Sequence, residues 1–211
     1  PSDVMCRGVY PAWMEREISR RGVDLGITDT DRELLAQNTI DYLAFSYYLT
    51  RLVQAGPSLL DTTGWELVSD LPNPHLERND WGWQIDPDGL LIALKKLADR
   101  YPGLPLMISE NGLGQREEPG PDGIIHDDYR IAYHRDHLQA VAQALAEGCP
   151  VFAYLAWSGI DIVSASSNER SKRYGFIHVD LDDAGNGTGK RTPKDSYHWF
   201  AQVAHSNGER R

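Results

Sequence analysis

The sequence is short of cysteine, of positive charge and of long apolar runs. Cys6 and Cys149 are its only cysteines and lack metal-type spacing. That leaves no structural role for disulfides and points to a reducing, cytoplasmic compartment. Acidic residues outnumber lysine and arginine, 31 to 21, for a formal net charge of −10. A field of that sign repels nucleic acid, and an anionic small ligand would need a local cluster of cations. No apolar run reaches the roughly 18 residues that a spanning helix needs, so neither nucleic acid nor a membrane is an expected partner. Pro1-Ser-Asp-Val has no initiator Met and no basic stretch ahead of an apolar core. It reads as an interior point of a longer chain rather than a signal peptide. There is no internal repeat and no low-complexity segment. What is present is an ordinary globular composition, 41% hydrophobic and 25% charged over 211 residues, enough for one domain with a sizeable core.

Three runs read as buried strands: Ile40–Leu49, Leu106–Ser109 and Val151–Trp157. Helical patterns separate them. Pro11 opens a short helix from Trp13 to Arg21, and Thr30 with Glu33 has the form of a capping box for a helix ending near Thr39. Asp86 and Pro87 start a helix with Leu90, Leu91, Leu94 and Leu97 on one face, which Gly103 closes. Asp127 or Asp128 caps a long helix with an inner face of Ile131, Leu138, Val141, Ala142 and Leu145. Residues 50–80 read as a long functional loop. Residues 158–173 read as a polar loop, Arg173–Asp180 as extended, 182–192 as an exposed turn region and Pro193–Ala204 as the last helix. Alternating strands and helices imply an α/β fold with a parallel sheet and crossover helices. Three strands leave two open edges, and a full (β/α)8 barrel takes about 250 residues. The chain is therefore expected to be part of a larger barrel.

Glu110 stands at the end of the second strand, before Asn111, Gly112 and Gly114 break the chain into a loop. The C-terminal ends of barrel strands are where such enzymes keep their catalytic groups. A carboxylate in that position costs free energy unless it is paired or hydrogen-bonded, so a chemical role is expected. The seven histidines show no metal-ligand pattern. His134 and His137 are i, i+3 on a helix without a nameable third ligand and read as surface residues. No cofactor is implied.

Ile108-Ser-Glu-Asn-Gly112 resembles the Thr-Glu-Asn-Gly nucleophile motif of glycoside hydrolase family 1. Leu43-Ala-Phe-Ser-Tyr-Tyr48 is similar to its strand-six motif and Tyr154-Leu-Ala-Trp-Ser-Gly-Ile-Asp161 to its strand-eight motif. Trp83–Leu90 and Tyr174–Asp180 also fit, in family order along the whole chain. The resemblance implies the C-terminal part of a (β/α)8 TIM barrel, strands six to eight with their helices, with residues 1–211 forming that portion of a single domain. It implies Glu110 as the nucleophile of a retaining glycosidase, Tyr48 as the group that orients it, and Trp157 as the aromatic platform beneath the sugar. Ser46 stands at a sugar-contacting position where most members have Asn. Retaining enzymes need a second carboxyl group about 5–5.5 Å away. The family's Asn-Glu-Pro motif that supplies it is absent here. Asn168-Glu169 has the dipeptide but lies in the strand-eight loop and is not taken as the acid/base.

The loop from Asp161 to Tyr174 decides specificity within this resemblance. Ordinary members carry Asp-Asn-Phe-Glu-Trp there, with the Glu binding sugar hydroxyls. This chain has Ser164 at the Glu position and Ala165 at the Trp position. Losing the acid removes a negative charge where a 6-phosphate would sit. Lys172, Ser164 and Tyr174 would then offer that phosphate a point charge and hydroxyl donors. The set resembles the phosphate site of 6-phospho-β-glucosidases, and Ala165 resembles the glucoside rather than the galactoside branch. The expected substrate is a β-glucoside phosphorylated at C6. Rival readings are a 6-phospho-β-galactosidase, a non-catalytic sugar-phosphate-binding fragment, and a truncation product that needs an N-terminal barrel half or self-association to cover its sheet edges.

Overall fold

The computed structural model describes residues 2–52 and 71–211. Its centre is a parallel sheet of three strands in the order β1 (Leu43–Ser46), β2 (Leu106–Asn111), β3 (Val151–Ala156). Helix α4 (Pro87–Arg100) connects β1 to β2, and α5 (Asp128–Ala146) connects β2 to β3. Parallel neighbours cannot be joined by a tight turn, so each pair requires such a crossover. Three short helices precede the sheet: α1 (Ser2–Arg7), α2 (Ala12–Arg20) and α3 (Asp29–Gln37). A small antiparallel pair, β4 (Ile177–Val179) with β5 (Arg191–Pro193), leads into α6 (Asp195–His205).

One face of the sheet is packed. Leu43, Leu106 and Ile108 meet Leu90 and Leu94 of α4 and Val141 and Ala144 of α5 in a single core. Helix α4 starts as its sequence dictates. The Asp86 carboxylate accepts from Gly89 N at 2.9 Å, with Pro87 in the first turn. A side chain at Gly89 would strike the Tyr47 hydroxyl, so glycine there lets the helix abut β1. The other face, with Ala44, Ser46 and Leu155, is open. So is the outer edge of β3, where Phe152 is 56% and Leu155 47% exposed.

Several sequence expectations change. The first strand covers only Leu43–Ser46 of the expected Ile40–Leu49. The third is half-buried rather than buried, because no strand covers its far edge among the described residues. The capping box uses Thr28 and Asp31, not Thr30 and Glu33: Thr28 N donates to Asp31 Oδ2 at 2.9 Å and Asp31 N donates back to Thr28 Oγ1 at 3.2 Å. Two overlapping motifs compete, and the earlier one wins because α3 starts at Asp29. Helix α4 ends at Arg100, with Gly103 beyond it at positive φ. The buried face of α5 is Arg130, Tyr133, His134, His137, Ala140, Val141 and Ala144, while Leu145 is exposed. His134 and His137 are therefore fully buried, not on the surface. Strand β5 and helix α1 had no strong sequence signal. Most of the loop expected over residues 50–80 lies outside the described residues.

Candidate active site

The C-terminal ends of the three strands place the candidate residues in one row. Ser46 pairs in register with Glu110, Tyr47 N donates to Glu110 O at 2.9 Å, and Trp157 N donates to Asn111 O at 2.8 Å. The Glu110 carboxylate accepts the Tyr48 hydroxyl at 2.8 Å. Burial, reinforced by the facing carboxylate, pushes the Tyr48 pKa well above the ordinary phenol value. The hydroxyl thus keeps its proton and remains a donor to Glu110.

Asn111 locks the strand end from behind. Its Nδ2 donates to Tyr47 O at 2.7 Å and to the Tyr133 hydroxyl at 3.0 Å, and its Oδ1 accepts from the Tyr154 hydroxyl at 2.5 Å. The Tyr133 hydroxyl in turn donates to Tyr48 O at 3.3 Å. His134 Nδ1 meets the Tyr154 oxygen at 2.8 Å. Since the Tyr154 hydroxyl donates to Asn111 Oδ1, that contact requires the Nδ1–H tautomer of His134. Both polar side-chain atoms of Asn111 are hydrogen-bonded, which fixes the strand end from which Glu110 projects.

The loop after β3 brings Ser164, Lys172 and Tyr174 together. The Ser164 and Tyr174 hydroxyls are 3.5 Å apart. Lys172 is only 2% exposed, and its ammonium lies 4.1 Å from the Trp83 ring centroid, 5.2 Å from Trp81 and 5.7 Å from Tyr174. Among the described residues no carboxylate lies within ion-pair range of it. The cluster adjoins Glu110 through Trp83, whose ring is 5.5 Å edge-on from Tyr48 and 6.3 Å from Tyr174. Gly114 is required here, because a Cβ would come within 2.8 Å of the Lys172 side chain and 3.0 Å of the Tyr174 ring. Of the neighbouring cations, Arg173 turns away to donate to Val179 O and Leu181 O. Ala165 and Ser46 are exposed, and Trp157 is half-buried with its Cβ over Gly112.

A buried charge network holds this loop. Arg130, on α5, pairs with Asp127 at 2.9 Å and with Glu117, and donates to Leu113 O and Tyr174 O at 2.7 Å each. Lys194 Nζ bridges Glu117 at 2.6 Å and Asp161 at 2.9 Å. Burial works to raise the Asp161 pKa, but His178 and Lys194 outweigh it, so the carboxyl is held below its usual range. Burial and then Arg130 pull Lys194 down. Glu117, Asp161 and His178 present ligand atoms within 4.8 Å of one another, as a metal site would. The Lys194 ammonium already sits between the two carboxylates, and this set reads as structural. Sequence reasoning missed this network and the Asn111 cluster. The only signal was polar residues, Arg130, His134 and His137, at helical spacing on a face that should have been apolar.

A carboxylate with its hydroxyl donor at the C-terminal ends of parallel strands joined by helices is the arrangement of part of a (β/α)8 barrel. The chain belongs to glycosyl hydrolase family 1, whose profile matches residues 2–209. It is 47% identical to aryl-phospho-beta-D-glucosidase BglH of Bacillus subtilis over 208 residues, 99% of this chain and 44% of that protein. It is 49% identical to phospho-cellobiase of Klebsiella oxytoca over 206 residues, 98% and 44%. The family 1 b-glucosidase from Thermotoga maritima superposes with a TM-score of 0.78 at 31% identity, over 97% of this chain and 43% of that one. The chain thus spans less than half the length of these relatives and forms a C-terminal portion of their barrel.

Proposed function

We propose that residues 1–211 are the C-terminal portion of a single barrel domain whose whole is a 6-phospho-β-glucosidase. The observation that carries this is the convergence of Ser164, Lys172 and Tyr174 one aromatic ring away from the Tyr48–Glu110 pair. Glu110 would attack the anomeric carbon and form a glycosyl-enzyme. A second carboxyl group, carried outside these residues, would protonate the leaving oxygen and later activate water. Tyr48 aims the nucleophile, and Trp157 offers an apolar ring face to the sugar. Lys172 supplies the charge, and Ser164 and Tyr174 the hydroxyls, that a 6-phosphate pairs with. Ala165 leaves the space where ordinary members carry Trp, and Ser46, level with Glu110, is placed to meet the sugar. A substrate phosphorylated before hydrolysis, together with two free cysteines, favours a cytoplasmic protein. The names of the phospho-glucosidase relatives support the substrate class.

The test is phenolate release from an aryl β-glucoside 6-phosphate, with the chain alone and with an N-terminal barrel half added. An activated leaving group needs little acid assistance, so the first turnover reports on Glu110. Release that is lost in Glu110→Gln and absent with the unphosphorylated glucoside is expected. Equal rates on the two glucosides would sink the phosphate reading, and faster release from the aryl 6-phosphogalactoside would reassign the sugar.

A further inference from the structure

Lys172 is a buried ammonium whose neighbours among the described residues are rings rather than acids, and something must hold those rings in place. Trp81 and Trp83 lie before α4, in a segment that a side-chain bond joins to the specificity loop. Trp81 Nε1 donates to Glu169 Oε2 at 2.9 Å. Glu169 in turn fixes the loop, because its carbonyl accepts from Ser164 N at 2.8 Å while Ser164 O accepts from Asn168 N at 2.8 Å. The same carboxylate residue therefore touches the Trp81 ring through its side chain and Ser164 through its backbone. On the Trp side, Asn79 Oδ1 accepts from Trp81 N at 3.0 Å and Trp83 N at 2.8 Å, while its Nδ2 donates to Gly114 O at 2.9 Å. The Arg116 guanidinium lies 4.9 Å from the Trp81 ring centroid.

The geometry points to Glu169 as a positioning residue: its hydrogen bond to Trp81 latches the specificity loop against the aromatic box and so seats Lys172 for the phosphate. Glu169 is not taken as the acid/base, despite following an Asn, because its carboxylate is engaged by the Trp81 indole. Its carboxylate is spent on an indole N–H, so it does not neutralise Lys172 by an ion pair. That leaves the ammonium charge available to an incoming dianion while the rings shield it from water. A flexible lysine in water would lose rotamer freedom on meeting the phosphate, whereas a boxed one has already lost it. The proposal rests on the phosphate reading above and adds the residue that makes the clamp rigid.

The experiment uses the 211-residue chain with 13Cε-labelled lysine, of which there are five. The ε-CH2 protons of Lys172 should resonate upfield of the other four through the ring currents of Trp81, Trp83 and Tyr174, and Lys172→Met assigns the signal by removing it. Glu169→Ala and Trp81→Phe each break the latch from one side, and both should move the signal toward the ordinary lysine position. Glu169→Gln keeps an acceptor and should retain it. Glucose 6-phosphate should shift the wild-type signal at concentrations about tenfold lower than in Glu169→Ala, a factor equivalent to one weak hydrogen bond. An unmoved Lys172 signal in both Glu169→Ala and Trp81→Phe would overturn the latch whatever the sugar does. A wild-type signal that responds equally to glucose and to glucose 6-phosphate would overturn the phosphate reading instead.

Discussion

The Tyr48 hydroxyl donates to Glu110 only while it keeps its proton, and burial in front of a carboxylate ensures that it does. A hydrogen bond to a charged group contributes about 1.5–3 kcal/mol. Tyr48→Phe, in a completed barrel, is therefore expected to lower kcat on the aryl 6-phosphoglucoside by roughly 10- to 100-fold, with KM changed far less. An unchanged kcat with a raised KM would make Tyr48 a sugar contact instead. His137 carries a second residue-scale consequence. Its Nδ1 donates to Tyr133 O at 2.8 Å, Nε2 has no partner among the described residues, and burial pushes its pKa down to about 4. The unfolded chain binds that proton near pH 6.5 and the native state refuses it. The stability contribution is complete above pH 6.5 and is lost as pH falls from about 6.5 to about 4. Urea midpoints measured across that window should fall more steeply for the wild type than for His137→Gln, and parallel curves would refute the assignment.

Elements were legible where local chemistry was unambiguous. Asp86-Pro87 placed the start of α4 to the residue, and the Leu106–Ser109 run placed the start of β2, which continues to Asn111. The face of α5 was misread because its interior is polar: Arg130, His134 and His137 are buried by partners that come from distant parts of the chain, and apolar periodicity cannot register them. The same holds at the site. The roles proposed for Glu110, Lys172 and Tyr174 come from motifs, whereas the Trp81–Glu169 bond joins positions 88 residues apart. The capping boxes of α3 differ only by two residues of register, so amide exchange separates them. Thr28→Ala should speed exchange at Asp31 N, while Thr30→Ala should leave it unchanged. For the ion network, removing one partner strands buried charge, which typically costs about 3–5 kcal/mol. Arg130→Leu should lose about that much in urea denaturation, and Arg32→Ala, whose partner Glu15 is half-exposed like itself, within about 1 kcal/mol of nothing. Comparable small losses at both sites would mean that the network is solvated.

At the scale of the whole molecule the sheet is packed on one side and along one course only. Among the described residues the outer edge of β3 has no partner strand and carries exposed Phe152 and Leu155, and parallel sheets are stable when both faces are covered. Val141, Leu145, Phe152, Phe200 and Val203 line a groove along that edge, between α5 and α6. The relatives carry more than half of their length outside the part matched here, which is where the remaining strands of a barrel would come from. A polypeptide corresponding to that N-terminal half should bind the chain and cover this edge. Ligand binding to the native state alone adds stability as the logarithm of its concentration over Kd, about 2.7 kcal/mol at a hundredfold excess. For a chain of this size that corresponds to roughly 5–10 °C in melting temperature. Phe152→Asp, which places a charge on the exposed edge without touching the packed core, should abolish the increase while leaving the melting temperature of the chain alone nearly unchanged. An increase that survives Phe152→Asp would mean that the N-terminal half docks elsewhere, and no increase in the wild type would mean that the open edge is satisfied within the chain itself.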